Sequence, residues 1–204
     1  MSFYCDRIVP YLVHVSMRQE KLAPYRRRVV SVAQGRVLEV GVGSGLNFPL
    51  YAPSVTTVIG LDPSAKLLSM ASPRTKQFGR TADLLEASAE AIPLDDRSID
   101  TVVTAWTLCT IPDVMHALSE MRRVLKPGGQ VLFVEHGRSP DRHVTHWQDR
   151  LTPLWKRIGG GCHLNRPIEQ LIASSGFRIE RLEKGYMQGP RLLTFMYEGR
   201  ARPS

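Results

Sequence analysis

Cysteine is scarce in this chain, and its few cysteines are widely spaced. The 204 residues include only Cys5, Cys109 and Cys162, and no two of them form a CxxC pair. A disulfide framework and a structural zinc site are therefore not expected, and a reducing, cytoplasmic location is favoured. No ligand spacing typical of a metal site occurs either, so the sequence predicts no bound metal.

A long apolar run is missing near the N-terminus. The segment IVPYLVHVSM, Ile8 to Met17, is apolar but contains Pro10 and His14. It falls well below the roughly 20 residues that a membrane-spanning helix needs, and it lacks an A-x-A cleavage site. We expect neither a signal peptide nor a transmembrane helix here.

Aromatic residues are few, at 7%, whereas basic residues are in excess, with 27 Lys and Arg against 19 Asp and Glu. The net charge of +8 favours acidic partners such as nucleic acid, an anionic membrane or an acidic substrate. Few aromatic residues lie among the basic clusters, which disfavours a single-strand nucleic-acid platform. The cluster at residues 26–28, with Arg18 and Lys21 nearby, fits either a solvated helix face or a face towards a membrane or substrate.

Strands and helices alternate from Arg36 onward. Runs such as VLEV, TTVIGL and DTVVTA show little alternation of polar and apolar residues, which is typical of parallel strands buried on both faces. Two helical pieces broken around Pro24 are predicted over residues 4–33. The further predictions are strands at 36–40, 55–61, 81–86, 99–105, 129–135, 177–183 and 192–198, and helices at 46–51, 64–77, 113–124, 143–158 and 167–174.

Three glycines follow the first predicted strand in RVLEVGVGSGLNFPLY. A dinucleotide fingerprint, G-x-G-x-x-G, would need a third glycine where Leu46 stands, after Gly41 and Gly43; the chain has Gly45 instead. Glu39 ends the strand, and a carboxylate there repels phosphate but suits a cation. S-adenosylmethionine (SAM) carries a sulfonium and an ammonium group and no phosphate, so it fits better than a dinucleotide.

Four segments resemble the class I SAM-dependent methyltransferases. VLEVGVGSG resembles their motif I, which implies that Glu39 helps to hold the amino-acid end of SAM. VIGLDPS places Asp62, followed by Pro63, at a strand end where a carboxylate accepts the ribose hydroxyls. NAD proteins share an acid at that place, so it discriminates little by itself.

The third and fourth segments extend the resemblance over residues 36–136. ASAEAIPLDDRSID resembles the G-D-A-E-x-L-P-F stretch of the family, but Ser88 stands where an aspartate commonly contacts the adenine, so Ser88, Ala89 and Glu90 all remain candidates. VLKPGGQVLFVEH matches the turn and fifth strand. The resemblance implies an α/β, Rossmann-like fold with a mostly parallel seven-stranded sheet, helices on both faces and an N-terminal helical lid.

A single domain is therefore expected over residues 1–204. Its parts would be the lid at 1–34, the SAM-binding core at 35–136 and the acceptor side at 137–204. An aromatic residue on such a lid can pack beside the sulfonium by a cation–π contact, which makes Tyr4 a candidate, with ordinary helix packing as the alternative. Trp106, just past the fourth strand, is expected near the adenine or the methyl group. The arginine-bearing lid could also lie on an anionic membrane surface.

The acceptor must be argued from other residues, because one fold serves many acceptors. AWTLCTIPD replaces the [DN]-P-P-[YF] motif of enzymes that methylate base amines, so a nucleobase amine is disfavoured. The segments TLC, VEHG, HWQDRLTPLW and GGCHLNR resemble the small thiol S-methyltransferases of the methyltransferase type 11 family. These include animal enzymes that are anchored by a hydrophobic N-terminal segment and methylate hydrogen sulfide and alkyl thiols. Motif I also resembles bacterial phospholipid N-methyltransferases.

A thiol acceptor must react as its thiolate, and a nearby imidazole could take its proton or stabilise its charge. His136 is the first candidate because it follows the fifth strand, at the carboxyl edge where open α/β sheets bind ligands. His163 and His146 are second candidates. Structural roles stay open for all three, and Cys109 and Cys162 could line the pocket or act as small hydrophobes.

The sequence thus predicts a SAM-dependent methyltransferase that acts on a small nucleophile, with a thiol or hydrogen sulfide favoured. One alternative is N-methylation of phosphatidylethanolamine at a membrane surface, with peripheral contact to anionic lipid. Another, of a different class, is a non-catalytic SAM-binding module that uses its basic face for RNA or a protein partner. An NAD oxidoreductase is the most distant alternative.

Overall fold

A computed structural model describes residues 4–204, with the side chains of all of these except residues 5 and 6. A π-helical turn at Tyr4–Ile8 leads into the first helix, and short 3₁₀ turns lie at Glu20–Leu22 and Phe48–Leu50. The helices are α1 Val9–Met17, α2 Ala23–Val30, α3 Ala65–Gln77, α4 Val114–Val124, α5 Arg142–Ile158 and α6 Ile168–Ser174. The strands are β1 Gly35–Val40, β2 Val55–Asp62, β3 Thr81–Glu86, β4 Ile99–Ala105, β5 Leu125–His136, β6 Phe177–Tyr186 and β7 Phe195–Pro203.

The seven strands form one sheet in the order β3-β2-β1-β4-β5-β7-β6. Strands β1 to β5 pair in parallel, whereas β7 lies antiparallel between β5 and β6. The predicted fold class, a mostly parallel seven-stranded Rossmann-like sheet, is confirmed. The order reverses between β1 and β4, and ligands of open α/β sheets bind at such a switch point, outside the carboxyl ends of the strands.

Both faces of the central strands are buried, which explains the weak alternation in their sequences. Leu38 and Val102 pack with α4 and α6 on one face, while the adjacent Val37 and Val103 pack with α2 on the other. Each central strand therefore carries apolar residues at consecutive positions. Among residues 4–204, no helix is both long and apolar enough to cross a membrane.

Four predicted elements differ from the structure by three residues or more. β5 begins at Leu125 instead of residue 129, and β6 continues to Tyr186 instead of residue 183. The predicted helix at 46–51 is wrong, since only the 3₁₀ turn at Phe48–Leu50 forms there. The backbone is already extended at Tyr51, with a ψ of 126°, and Pro53 disfavours helical backbone at Ala52, so the helix does not continue. The last strand, predicted at 192–198, begins instead at Phe195 and continues to Pro203, after a turn in which the Leu193 amide bonds the Pro190 carbonyl.

Candidate active site

One large cavity, of about 840 Å³, lies at the carboxyl ends of the central strands. That volume is typical of a small-molecule site. The cavity brings together most of the residues singled out from the sequence, namely Glu39, Gly41, Gly43, Asp62, Pro63, Ser88, Ala89, Trp106 and His136. The remaining candidates, Tyr4, Gly45, Glu90, His146 and His163, are not part of its wall.

The glycine-rich loop after β1 needs two of its glycines for different reasons. Gly41 has a φ of 71°, and a Cβ there would lie 2.2 Å from Oγ1 of Thr107, so the loop could not pack on the segment after β4. Gly43 has a φ of 54° and faces open space, with nothing nearer to a Cβ than 3.9 Å. The loop therefore leaves room at Gly43 for a ligand to approach its backbone.

Asp62, the last residue of β2, fastens this loop. Its Oδ2 accepts a hydrogen bond from the Gly43 amide at 3.0 Å, and its Oδ1 accepts one from the Ser64 amide at 2.9 Å. Burial raises the pKa of Asp62, although both of these hydrogen bonds act to lower it. Because an ionised carboxylate has about four lone-pair sites, Asp62 keeps acceptor capacity for a bound ligand.

Glu39 lies beneath the loop and is held by two donors. Its Oε1 accepts from Nδ2 of Asn47 at 2.8 Å, and its Oε2 accepts from the hydroxyl of Tyr51 at 2.6 Å. Burial raises the pKa of Glu39 to about 7, against the effect of both hydrogen bonds. Arg26 donates to Oδ1 of Asn47 at 2.9 Å and to the Met17 carbonyl at 3.1 Å, so it links α2, the end of α1 and this network.

The chain turns sharply after β4 at Trp106. This residue has a φ of 55°, in a region that bulky side chains rarely adopt, and its amide donates to the Val134 carbonyl at 2.8 Å. Its ring faces the guanidinium of Arg26 at 4.8 Å from the centroid. Strained backbone of this kind, which costs about 1–2 kcal/mol, tends to occur at functional sites.

The segment after β3 is divided between the cavity and α4. Ser88 and Ala89 line the cavity. Glu90 points the other way, because its Oε1 accepts from the Asp113 amide at 2.6 Å and its Oε2 from the Ser88 hydroxyl at 3.0 Å. Of the three adenine candidates, Ser88 and Ala89 are therefore at the cavity, and Glu90 fastens the start of α4.

Helix α1 covers the glycine loop. Nδ1 of His14 lies 2.7 Å from Oγ of Ser44, and both residues line the cavity. Tyr4 lies further out, where its hydroxyl donates to the Ile158 carbonyl at 2.9 Å and ties the N-terminal turn to the end of α5. His14 was not expected from the sequence, since nothing in its local pattern indicated which side of α1 faces a ligand.

The opposite end of the cavity lies at β5, which β1 and β4 separate from β2 and Asp62 in the sheet. This end holds a cluster of two thiols and an imidazole. Nε2 of His136 lies 3.1 Å from Sγ of Cys162, and these two atoms and Sγ of Cys109 all lie within 4.8 Å of one another. Hydrogen bonding from Cys109, and then from His136, lowers the pKa of Cys162, although burial opposes this. For His136, burial lowers the pKa, but hydrogen bonding to Cys162 and the charges of Cys162 and Glu135 together outweigh burial and raise it overall.

Hydrogen bonds between the segment after α5 and the segment after β4 hold this cluster in place. The amide of His163 donates to the Cys109 carbonyl at 2.8 Å, and Nδ1 of the same histidine lies 3.0 Å from that oxygen. Arg166 donates to the carbonyls of Leu108 and Ile111. His163 thus positions Cys109 from outside the cavity wall.

His146 does not take part in the cluster. It lies exposed on α5, where its ring meets the ring of Trp147 edge-on at 5.9 Å. The structure therefore brings one predicted histidine, His136, to the cavity. It joins this histidine to Cys109 and Cys162, which the sequence left with open roles because 27 and 26 residues of chain separate each from His136.

Comparison with known proteins decides the family. A family model described as a methyltransferase domain matches residues 38–133. The thiol S-methyltransferase TMT1B of Rattus norvegicus is 39% identical over 72% of this chain, although the match spans only 62% of the rat protein. The same enzyme of Homo sapiens is 33% identical over 88% of this chain and 79% of its own length. The phosphatidylethanolamine N-methyltransferase of Cereibacter sphaeroides is 32% identical over 85% of both.

The chain belongs to the SAM-dependent methyltransferases. The crystal structure of a SAM-dependent methyltransferase from Thermotoga maritima shares the fold, with a TM-score of 0.68, 21% identity and coverage of 98% of this chain and all of that one. The methyltransferase is therefore an enzyme, and the non-catalytic module considered from the sequence is not supported. The family implies SAM as its cofactor.

Proposed function

We propose that the methyltransferase transfers a methyl group to the sulfur of a small thiol, either hydrogen sulfide or an alkyl thiol. The observation that carries this proposal is the cluster of Cys109, His136 and Cys162 at one end of the cavity. An imidazole nitrogen 3.1 Å from a sulfur atom stabilises that sulfur as a thiolate. The same surroundings favour the thiolate of an acceptor, and thiolate is the reactive form.

The other end of the cavity fits the cofactor that the family implies. When bound, SAM supplies a methyl group on a positively charged sulfur. Asp62, with acceptor capacity left beyond its two backbone donors, is suited to the ribose hydroxyls. The open side of Gly43 suits close backbone contact, and the buried carboxylate of Glu39 suits the positively charged amino-acid end. Ser88 and Ala89 are the residues available to the adenine.

The cavity wall between these ends is mainly apolar. Val9, Val13, Ile111, Ile158 and Leu193 all line it. Such a wall excludes water from the reacting atoms and accommodates the alkyl part of a lipophilic thiol. The segment after β4 joins the two ends, because Thr107 packs on Gly41 while Cys109, two residues further, belongs to the cluster. This connection supports transfer between a donor at the glycine loop and a sulfur at the cluster.

The relatives support the same acceptor, since proteins named thiol S-methyltransferase match most of this chain.

A second candidate is N-methylation of phosphatidylethanolamine, which one relative carries in its name. The specific observation in its favour is α1, in which only Pro10 is buried. Tyr11 is 59% exposed outside the cavity, and Leu12 and Val15, which also line the cavity, are 49% and 50% exposed. An exposed apolar helix next to basic residues suits the surface of an anionic membrane. We propose peripheral membrane contact through this helix for either acceptor, because a lipophilic thiol would also reach the cavity from a membrane.

The test is release of S-adenosylhomocysteine by the purified full chain with separate acceptors. Sulfide and a small alkyl thiol are compared with vesicles of phosphatidylethanolamine and anionic lipid. Turnover with a thiol in the absence of vesicles supports the proposal. Turnover that requires the vesicles, with an N-methylated lipid as product, contradicts it and supports the second candidate.

A matched pair of variants connects that activity to the cluster. His136→Ala is expected to lower kcat for the thiol by about 100-fold or more, the usual scale for a group that manages a proton or charge at the reacting atom. His116→Ala, at an exposed position on α4, removes the same side chain elsewhere and should leave the rate unchanged. Equal rates for the two variants would show that the cluster takes no part in methyl transfer.

A further inference from the structure

We propose that Cys109, His136 and Cys162 form a zinc site whose open fourth position receives the sulfur of the acceptor. This inference rests on the proposed thiol acceptor and goes beyond it, because it assigns a metal ion where the sequence predicted none. The three residues come from the segment after β4, the end of β5 and the segment after α5, so no short ligand motif in the sequence indicates the site.

The positions of the ligand atoms suit a single ion. Sγ of Cys109, Nε2 of His136 and Sγ of Cys162 all lie within 4.8 Å of one another. Around a tetrahedral zinc ion, with bonds of about 2.3 Å to sulfur and about 2.0 Å to nitrogen, neighbouring ligand atoms are about 3.5 Å apart. The separation of 3.1 Å between His136 and Cys162 is close to that value. An ion can therefore enter with small side-chain movements.

The chemistry of the donors also selects zinc. Two thiolates and one imidazole are soft or borderline ligands, which favour zinc over magnesium or calcium. Three protein ligands with an open fourth position are typical of catalytic zinc, and two cysteines with one histidine are a known set. The cavity is the open side here, because all three residues line it.

A neighbouring buried carboxylate is consistent with a cation at this place. Within the described part of the chain, Oε2 of Glu135 is buried without a hydrogen-bond partner. Nδ1 of His136, the nitrogen that carries the proton when zinc binds through Nε2, also has no partner among these residues. A positive ion near Glu135, whose carboxylate is fully buried, offsets the cost of that charge.

The site is held before any ion arrives. Arg166 bonds the carbonyls of Leu108 and Ile111 on both sides of Cys109, and His163 bonds the carbonyl of Cys109 itself. The segment that carries Cys162 is thus fastened to the segment that carries Cys109. Ligands on fastened segments lose little freedom when they coordinate an ion.

Zinc gives the acceptor sulfur a place beside the two cysteine sulfurs. The incoming thiol forms a bond from sulfur to zinc, its S–H bond breaks, and the proton leaves to solvent through the mouth of the cavity. The bound sulfur keeps a lone pair, which would form the new bond to the methyl carbon while the bond from that carbon to the sulfonium sulfur of SAM breaks. The electron pair of the broken bond stays on sulfur, which gives neutral S-adenosylhomocysteine and a thioether that leaves the open position. A third thiolate next to Cys109 and Cys162 would otherwise meet like charge, and the dication removes that repulsion.

The first test is zinc binding by the reduced, full-length protein, measured by competition with a chromogenic chelator and by metal analysis after dialysis. One zinc ion per chain is expected. Cys109→Ser, His136→Ala and Cys162→Ser should each weaken binding by more than about 100-fold, since loss of an outer-shell partner alone costs 10- to 100-fold. His116→Ala should bind as tightly as the wild type. Wild-type binding no tighter than that of His136→Ala would overturn the inference.

Cobalt substitution keeps the inference testable if a variant does not fold. Wild-type protein loaded with Co²⁺ should show the thiolate-to-cobalt charge-transfer band and the visible bands of a tetrahedral site, and added zinc should abolish them. A small alkyl thiol should then shift these bands, because its sulfur takes the open position. A spectrum without thiolate bands would contradict the site.

Failure of this inference can be told apart from failure of the proposed function. Equal rates of thiol methylation by zinc-loaded protein and by chelator-treated, metal-free protein would overturn the zinc site and leave the thiol acceptor intact. Tight zinc binding and a thiol-dependent cobalt spectrum, without any thioether product, would support the site and contradict the proposed function.

Discussion

Nε2 of His136 lies 3.1 Å from Sγ of Cys162, at the end of the cavity opposite Asp62. This contact joins the carboxyl end of β5 to the segment after α5. It places an imidazole beside a sulfur atom inside a largely apolar cavity, an arrangement that suits the proposed reaction at sulfur. The properties of Cys162 therefore report on the environment that an acceptor thiol would meet.

The thiol of Cys162 is expected to react faster than that of Cys109 in metal-free protein. Hydrogen bonding from Cys109 and His136 lowers the pKa of Cys162, whereas hydrogen bonding to Cys162, together with burial, raises that of Cys109. Iodoacetamide at about pH 6 should thus label Cys162 first, as read by mass spectrometry of peptides. His136→Ala should slow this labelling about tenfold or more, and His116→Ala should not. Faster labelling of Cys109 would contradict the described geometry.

The glycine loop offers a test of the cofactor end with a close control. Gly43→Ala and Gly79→Ala both place a Cβ at a positive φ, 54° and 71°, and neither meets a neighbouring atom within 3.8 Å. Each should lose about 1–2 kcal/mol of stability for the same backbone reason. Only Gly43→Ala should weaken binding of S-adenosylhomocysteine in a calorimetric titration, because only Gly43 lines the cavity. Equal affinities for the two variants would place the cofactor elsewhere.

Glu39 should make the stability of the wild type depend on pH. Burial raises its pKa from 4.5 to about 7 in the folded protein, so folding binds a proton between these pH values. The contribution of Glu39 to stability is therefore full below pH 4.5 and is lost as the pH rises through about 7. Glu39→Gln has no proton to lose.

The free energy of unfolding of Glu39→Gln, relative to the wild type, should accordingly rise between pH 4.5 and pH 8 by on the order of 3 kcal/mol. A constant offset from the altered hydrogen bonds to Asn47 and Tyr51 does not affect this slope. Urea unfolding at several pH values measures it, with the exposed Glu86→Gln as control. A difference that stays flat over this range would show that Glu39 is ionised with its ordinary pKa.

The exposed apolar face of α1 should contribute to membrane contact. Tyr11→Ser is expected to reduce cosedimentation with anionic vesicles several-fold, because its ring, 59% exposed, contributes apolar area to the contact. Val32→Ser is the control, since Val32 is 50% exposed but lies after α2. Equal reductions by both substitutions, or none by either, would argue against docking through α1.

The sequence predicted the central strands β1, β2, β4 and β5 well because each carries an apolar run buried on both faces, a pattern independent of distant contacts. It failed at residues 46–51, where spacing suggested a helix but Pro53 and the turn at Phe48–Leu50 redirect the chain. The position of the residues at the cofactor end of the cavity could also be predicted from the sequence. Gly41, Gly43 and Asp62 lie at or just after strand ends, and the carboxyl ends of parallel strands meet at one edge of the sheet. Whether these residues hold the cofactor as expected stays a prediction.

The residues at the acceptor end of the cavity could be predicted from the sequence only in part, because contacts between distant loops bring them together. Cys109, His136 and Cys162 meet because Arg166 and His163 dock one loop on another. Such docking depends on carbonyl positions that no local pattern encodes. The orientation of the Glu90 side chain could likewise not be predicted from the sequence, since it depends on a hydrogen bond from the amide of Asp113, 23 residues away in the chain.

We propose that this methyltransferase acts on sulfur rather than on a lipid amine. A single reaction that contains SAM with a labelled methyl group, a small alkyl thiol and phosphatidylethanolamine vesicles distinguishes the two, because both acceptors then compete for one site. The label is expected mainly in the thioether. Label mainly in N-methylated lipid would contradict this proposal and would assign the cavity to the phospholipid amine.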